Sequence, residues 1–537
     1  MSTCPRCGAE NYINTCKDCG FEQTRDVLSY YTLTRLSDEE LSFFDTTERL
    51  IKKCIKQLEL LNKNIRRQGK KEFDTDERLA NLWDEYISLT ESQPEDEYEG
   101  KGANELNALA LEYYNGSGEK EQDFVKAFEL FSMAAEKGNA DAMYNLGNMY
   151  YYGRCVTPDY ARAFEWYKKA AEKGNADAMN FLGFMYNNGK GVTQDSARAF
   201  EWYTKAAENG NAYAMNNLGE MYYYAKGVTQ DSARAVDWYK KAAEKGDTSA
   251  MYKLGEMYYN GRGVTQDYAQ AFEWYTKAAE KGNADAMNSL GGMCYYGQGV
   301  EINQKQAGAW FQKAAEKGNG DAMRRLGVMY YNGDGVPQDY ARAFEWFKKA
   351  AEKGNARAMN NLGEMYYYAN GVTVDYARAF EWYTKAAENG NAFAMYNLGN
   401  MYYYAKGVPQ DYARAFEWYK KAAEKGSSAA MNNLGDMYYN GYGVPRDYAR
   451  AFAWYKKAAE KGNADTMYNL GHMYYNGFGV PRDYAQAFEW YTKAAEKGNI
   501  SAMDRLGDMY KNGQGVVRDK QKAKYWKRKA EAARRSR

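Results

Sequence analysis

Imidazole is almost absent from this chain, whose 537 residues include a single histidine, His472. Acid–base and nucleophile–base catalysis usually relies on an imidazole near neutral pH, so most arrangements of that kind are excluded and only carboxylate chemistry stays open. An excess of charge is lacking too, since 72 basic residues face 71 acidic ones. No global field steers the chain toward nucleic acid or an anionic membrane, and any electrostatic partner must be local. There is no apolar run of about eighteen residues and no charged-then-apolar leader at Met1. Neither a spanning helix nor a secretory signal is expected, and the chain should stay in the cytoplasm. Of seven cysteines, four crowd into the first nineteen residues while Cys54, Cys155 and Cys294 lie far apart, which is not a disulfide framework.

What is abundant is repetition. A glycine returns at Gly138, Gly174, Gly210 and so on to Gly498, always 36 residues on. A fixed period of this size marks a stacked-repeat solenoid, in which each unit needs its neighbours to bury its apolar face. Within a unit, Ala142, Met143, Leu146, Gly147, Met149 and Tyr150 follow the helical interval and predict a first helix, A. Gly147 and its equivalents sit inside that helix at a cost of about 1 kcal/mol relative to alanine, so a close steric neighbour is expected, most simply a crossing helix. A Gly-x-Gly-Val turn follows. Asp159, with Asp195, Asp231, Asp267, Asn303 and Asp339 after it, then reads as the N-cap of a second helix, B, which ends at the next repeat's glycine.

The pieces Leu-Gly-x-Met-Tyr, Gly-x-Gly-Val and Ala-Phe-Glu-Trp-Tyr-x-Lys-Ala-Ala-Glu, at this spacing over residues 103–533, strongly resemble the Sel1-like repeat family, relatives of tetratricopeptide repeats. The resemblance implies an all-α, right-handed superhelical solenoid of antiparallel helix pairs that serves as a protein-binding scaffold. About twelve 36-residue repeats are expected, with a degenerate first copy and a basic last helix as caps. Extracellular members of the family carry paired cysteines within repeats, and this chain does not.

Before the array, Cys4-Pro-Arg-Cys7-Gly8 and Cys16-Lys-Asp-Cys19-Gly20 offer four thiolates to one tetrahedral ion. A structural zinc there would supply folding energy that so short a segment cannot gain from its own core. The stretches CPRCGAEN and CKDCG resemble the short zinc ribbons at the start of many bacterial proteins, which implies structure or docking over residues 1–24. A redox pair is the rival reading, and a catalytic zinc would lack an open coordination position.

Residues 38–92 read as a charged helical hairpin or coiled coil. Residues 45–72 carry nine basic and four acidic side chains, whereas 73–99 carry one and ten, so the two halves should attract. The alternative is self-association through residues 45–68, along the seam from Ile51 to Ile65. Residues 93–102 form a polar linker.

Comparing the copies separates framework from freedom. Substitutions concentrate at position 141 and its equivalents, which include Arg357 and Phe393. They also concentrate at 144, with Tyr252, Arg324, Tyr396, Asn432 and Tyr468, at 145, with Arg325, and at 148, with His472. Offsets 0, 3, 4 and 7 share one face of one helix. That face is either drifting solvent-exposed surface or a groove for protein or peptide ligands, and the near-constancy of exposed B positions such as Arg162, Lys168 and Lys169 favours the groove. The function expected is a non-enzymatic adaptor. The alternative is a nucleic-acid-associated regulator using the ribbon and the basic C-terminal helix, although the balanced charge argues against nucleic acid, and no membrane partner is expected.

Overall fold

The computed structural model describes Tyr98, residues 100–118 and residues 120–535. The expected zinc ribbon at 1–24, the hairpin or coiled coil at 38–92 and most of the linker lie outside the described residues. All regular structure among the described residues is helical: 24 helices form twelve A–B pairs, from Ala103–Asn115 with Phe124–Glu136 to Ile500–Asn512 with Lys520–Arg535. Two units are distinguished, residues up to Ala214 together with Lys226–Val228, and Met215–Ala225 together with residues from Thr229 onward. Both are built by the same local rules.

In the first unit, Asp159 accepts a hydrogen bond from the Arg162 amide at 2.9 Å and opens the B helix Tyr160–Glu172. That helix closes on Gly174, whose φ of +90° lets its amide reach the Ala171 carbonyl at 2.9 Å while the Asn175 amide reaches Ala170 at 3.1 Å. Asn175 then starts the next A helix by accepting from the Ala178 amide at 2.7 Å. One Gly-Asn dipeptide thus ends one helix and begins another, which fixes the angle of the connection.

The core is made of alternating small and large side chains. Ala142, Leu146 and Met149 from the A helix meet Ala163, Tyr167 and Ala170 from the B helix, all fully buried. The intrahelical glycine is explained here, with one refinement: a ring lies against it rather than a helix backbone. A Cβ at Gly147 would stand 2.6 Å from Cδ1 and Cε1 of Tyr167.

In the second unit the same contact recurs, with Gly399 beneath Tyr419 and Gly435 beneath Tyr455. Neighbouring repeats are joined through the second glycine of the Gly-x-Gly turn. Gly479 has φ +71°, and a Cβ there would fall 2.2 Å from the carbonyl oxygen of Tyr448, the first residue of the preceding B helix. The residue between the two glycines covers that same tyrosine, as where the Phe478 and Tyr448 rings stack at 5.0 Å.

Ala225, Ala369 and Ala405 occupy the first glycine position with φ of +55°, +63° and +54°. A left-handed residue with a Cβ costs about 1–2 kcal/mol, partly offset by the greater unfolded-state freedom of glycine. Ala369→Gly is therefore expected to stabilise the array by roughly 0.5–1 kcal/mol, seen as a higher urea midpoint. Cys155 holds φ +56° in place of the second glycine, and Cys294 is fully buried where other copies place a tyrosine.

Candidate functional site

The A helix rests on the B helix by its alanine, methionine and leucine positions, and this turns positions 144, 145 and 148 to the edge of the core. All the residues singled out above are in the second unit. Tyr252, Arg324, Arg325, Tyr396, Asn432, Tyr468 and His472 are half-buried, whereas Arg357 and Phe393 are exposed at the first turn of their helices. The face is a partly covered ladder of side chains rather than a freely solvated stripe.

Its rungs run between repeats. Asn397 donates to Asn360 at 3.1 Å and Asn469 donates to Asn432 at 3.2 Å, so position 145 of one repeat reaches position 144 of the repeat before. Position 148 is tied to the core beneath. The hydroxyl of Tyr419 donates to Asn400 at 2.7 Å and that of Tyr455 donates to Asp436 at 2.6 Å. At Gly292 and Val328, where position 148 offers no acceptor, the B-helix ring is Phe311 or Phe347 and carries no hydroxyl, whereas opposite Phe184 the ring is Tyr203. A buried phenol without a partner is costly, which favours phenylalanine at the first two. Opposite His472, the hydroxyl of Tyr491 is buried with no hydrogen-bond partner among the described residues.

Two expectations about this face change. At position 141 the aspartates belong to the framework, because Asn355 donates to Asp321 and Asn499 donates to Asp465, at 2.8 and 2.7 Å. Each aspartate thus holds the capping asparagine of the next repeat, and Arg357 and Phe393 stand where that latch is missing. His472, expected as a surface contact, is half-buried against Tyr439, Tyr468 and Phe478, with ring centroids 6.0–6.5 Å away. Burial, with Arg505 nearby, pushes its pKa down and keeps it neutral at physiological pH.

The contrast with helix B also narrows. Arg162 pairs with Asp159 at 3.2 Å, and Lys169 lies 4.2 Å above the centroid of Trp166, so their constancy has a local cause. The A face, moreover, extends further than the sequence comparison placed it. Position 152, four residues beyond 148, carries exposed Tyr224, Tyr296, Tyr368 and Tyr404 in the second unit. Other copies place an asparagine there, which at Asn440 bonds back to the carbonyl of Asp436 at 2.9 Å and at Asn332 donates forward to Asp334 at 3.0 Å. Continuing the 0, 3, 4, 7 series to 11 would have found it.

Burial raises the carboxyl pKa of Asp436, against the lowering effect of its bonds from Tyr455 and Asn432. A folded-state pKa above the unfolded value imposes no penalty at low pH, where the group is neutral in both states. The penalty grows as pH rises and is fully present above the folded value. Asparagine already serves this position at Asn148 and Asn400, both bonded to the tyrosine below. Asp436→Asn should therefore raise the melting temperature at pH 7, with a gain that vanishes as pH falls toward about 4.

Twelve successive segments, from 106–139 to 500–533, match the Sel1 repeat family. The chain is a Sel1 repeat protein. No curated protein matches it. Among solved structures it is similar to a protective antigen present in uropathogenic Escherichia coli strains, with 36% identity over 84% of this chain and 94% of the other, and a TM-score of 0.62. It is also similar to a Sel1 repeat protein from Oxalobacter formigenes, with 32% identity over 57% of this chain and 90% of that one, at a TM-score of 0.48. Sel1 repeat solenoids are typically protein-interaction scaffolds. Among the described residues no helix is long and apolar enough to cross a membrane, and no group of His, Cys, Asp or Glu side chains is placed to hold a metal.

Proposed function

We propose that this Sel1 repeat protein is a non-enzymatic adaptor that holds protein or peptide partners along the A-helix face of its second unit. The observation that carries this reading is the exchange of Tyr252, Arg324, Tyr396, Asn432 and Tyr468 at one partly exposed position, above a framework that repeats almost unchanged. Tyrosine, arginine and asparagine supply contact area and adaptable hydrogen bonds at little conformational cost. In superhelical arrays of this kind the A helices line the concave surface, which supports this reading.

Photo-crosslinking in the native cell tests it. A benzophenone amino acid at Tyr396 should give discrete adducts with a partner, and the same group at Lys420 on the B helix should give none. Equal adduct patterns from both positions would remove the A face from the reading.

We further infer a structural zinc held by Cys4, Cys7, Cys16 and Cys19. The support is the paired spacing of four thiols in a segment with few apolar residues. Metal analysis of the full chain should find about one zinc ion, lost in a Cys16→Ser, Cys19→Ser variant. Equal metal content in the two proteins would contradict the assignment.

A further inference from the structure

The A-helix face is not uniform. At position 148 the other copies from repeat to repeat carry a side chain, but Gly292 has none. A cavity of about 240 Å³ opens there, lined by Tyr252, Tyr275 and Tyr296 together with Glu256 and Arg325. That is smaller than the roughly 300–1,000 Å³ of sites for small molecules, and suits one large side chain. The Oδ1 of Asn288, which also lines it, is buried with no hydrogen-bond partner among the described residues.

The charges around this cavity are unequal. Glu256 is already paired, with Lys253 at 3.2 Å. Arg325 lies 5.3 Å over the Phe311 ring and occupies the space a Gly292 side chain would take, since a Cβ there would stand 2.8 Å from its Nη1. Beside it on the same helix, Arg324 has a buried Nε without a partner, and Arg357 follows in the next repeat. None of the three arginines makes an ion pair among the described residues. Burial first, then Arg325 and Arg357, lower the pKa of Arg324 against the raising effect of Asp321, and an incoming anion would add to that opposing effect. Asp321, three residues before Arg324 on the same helix, and Glu256, which lines the cavity, interrupt the positive charge, so the site suits a few discrete carboxylates better than a continuous phosphate backbone.

Resting on the proposed binding face, we infer that its partner is an acidic peptide. One of its large side chains enters the Gly292 cavity while its carboxylates pair with Arg324, Arg325 and Arg357. Guanidinium–carboxylate pairs formed at the half-buried Arg324 and Arg325 are among the stronger polar contacts, so both should matter to affinity.

The test is fluorescence polarisation on the full chain with a labelled decapeptide of glutamates around a central tyrosine. Its glutamine counterpart and a ten-residue oligothymidylate serve as comparisons. The acidic peptide should bind roughly tenfold or more tightly than the glutamine peptide. Arg324→Gln with Arg325→Gln should abolish the difference. Gly292→Asn, whose side chain would displace the Arg325 head group from the space it occupies and fill part of the cavity, should weaken binding with the fold unchanged by circular dichroism. Equal binding of the acidic and glutamine peptides, indifference to Gly292→Asn, or tighter arginine-dependent binding of the oligonucleotide would each overturn the inference. Crosslinking from Tyr396 with no affinity for the acidic peptide would leave the binding face standing and remove only this chemistry.

Discussion

Gly479→Ala is expected to split the cooperative unfolding of the array. The new methyl group meets two penalties at once. Its φ of +71° costs about 1–2 kcal/mol for a residue with a Cβ, and the Cβ would lie 2.2 Å from the carbonyl oxygen of Tyr448. That oxygen belongs to the first turn of a helix, so the contact between the two repeats must shift to admit the methyl group. Overpacking adds roughly 1–3 kcal/mol, for a total of about 2–5 kcal/mol. In a one-dimensional array this loss falls on one interface, and the C-terminal repeats should melt ahead of the rest. Calorimetry should show an added low-temperature transition. A single unshifted transition would mean that the turn does not join the repeats.

Gly399→Ala should destabilise the array from within a repeat. A Cβ there would sit 2.5 Å from Cδ1 and Cε1 of Tyr419, a ring only 1% exposed and held at its hydroxyl by Asn400. The cost of displacing it is set at the upper end of overpacking, about 3 kcal/mol, less about 1 kcal/mol of helix propensity gained by alanine, leaving a net loss of about 2 kcal/mol. Gly507→Ala provides the contrast, because its neighbour is the flexible stem of Lys527, with Cγ at 2.9 Å. That variant should be neutral or slightly stabilising. Urea midpoints of the two variants measure the difference, and equal shifts would assign the intrahelical glycine to something other than the ring.

The framework was legible because it is written many times over. A single Gly147 inside a helical pattern would have weakened the expectation of a helix; recurring every 36 residues, it demanded a neighbour. The nature of that neighbour was not legible, since a ring and a helix backbone exclude a Cβ equally well. Asp159 and Asn175 were readable as caps from type and place alone. The site was legible as a face but not as a set of contacts. Asp321 looked like a substituted surface residue, yet its bond to Asn355 spans 34 positions and becomes visible only when repeats are stacked. The dependence of Phe311 and Phe347 on Gly292 and Val328 was already in the sequence, but pairing those positions requires the register between A and B helices. His472 illustrates the limit most clearly, because its aromatic surroundings come from its own repeat and the one before it.

Function rests on a different kind of inference from the fold, because a scaffold has no chemistry of its own to recognise. The Gly292 cavity and the unpaired arginines give this face a local character that a merely drifting surface would lack.

The most direct measurement is quantitative affinity capture from native lysate. The parent would be compared with a variant changed to alanine at Arg324, Arg325, Tyr396 and Tyr468, after circular dichroism shows both are folded. The adaptor reading predicts that specific proteins held by the parent are lost from the variant. Retention of the same proteins by both would contradict it and assign the A-helix face to drifted surface.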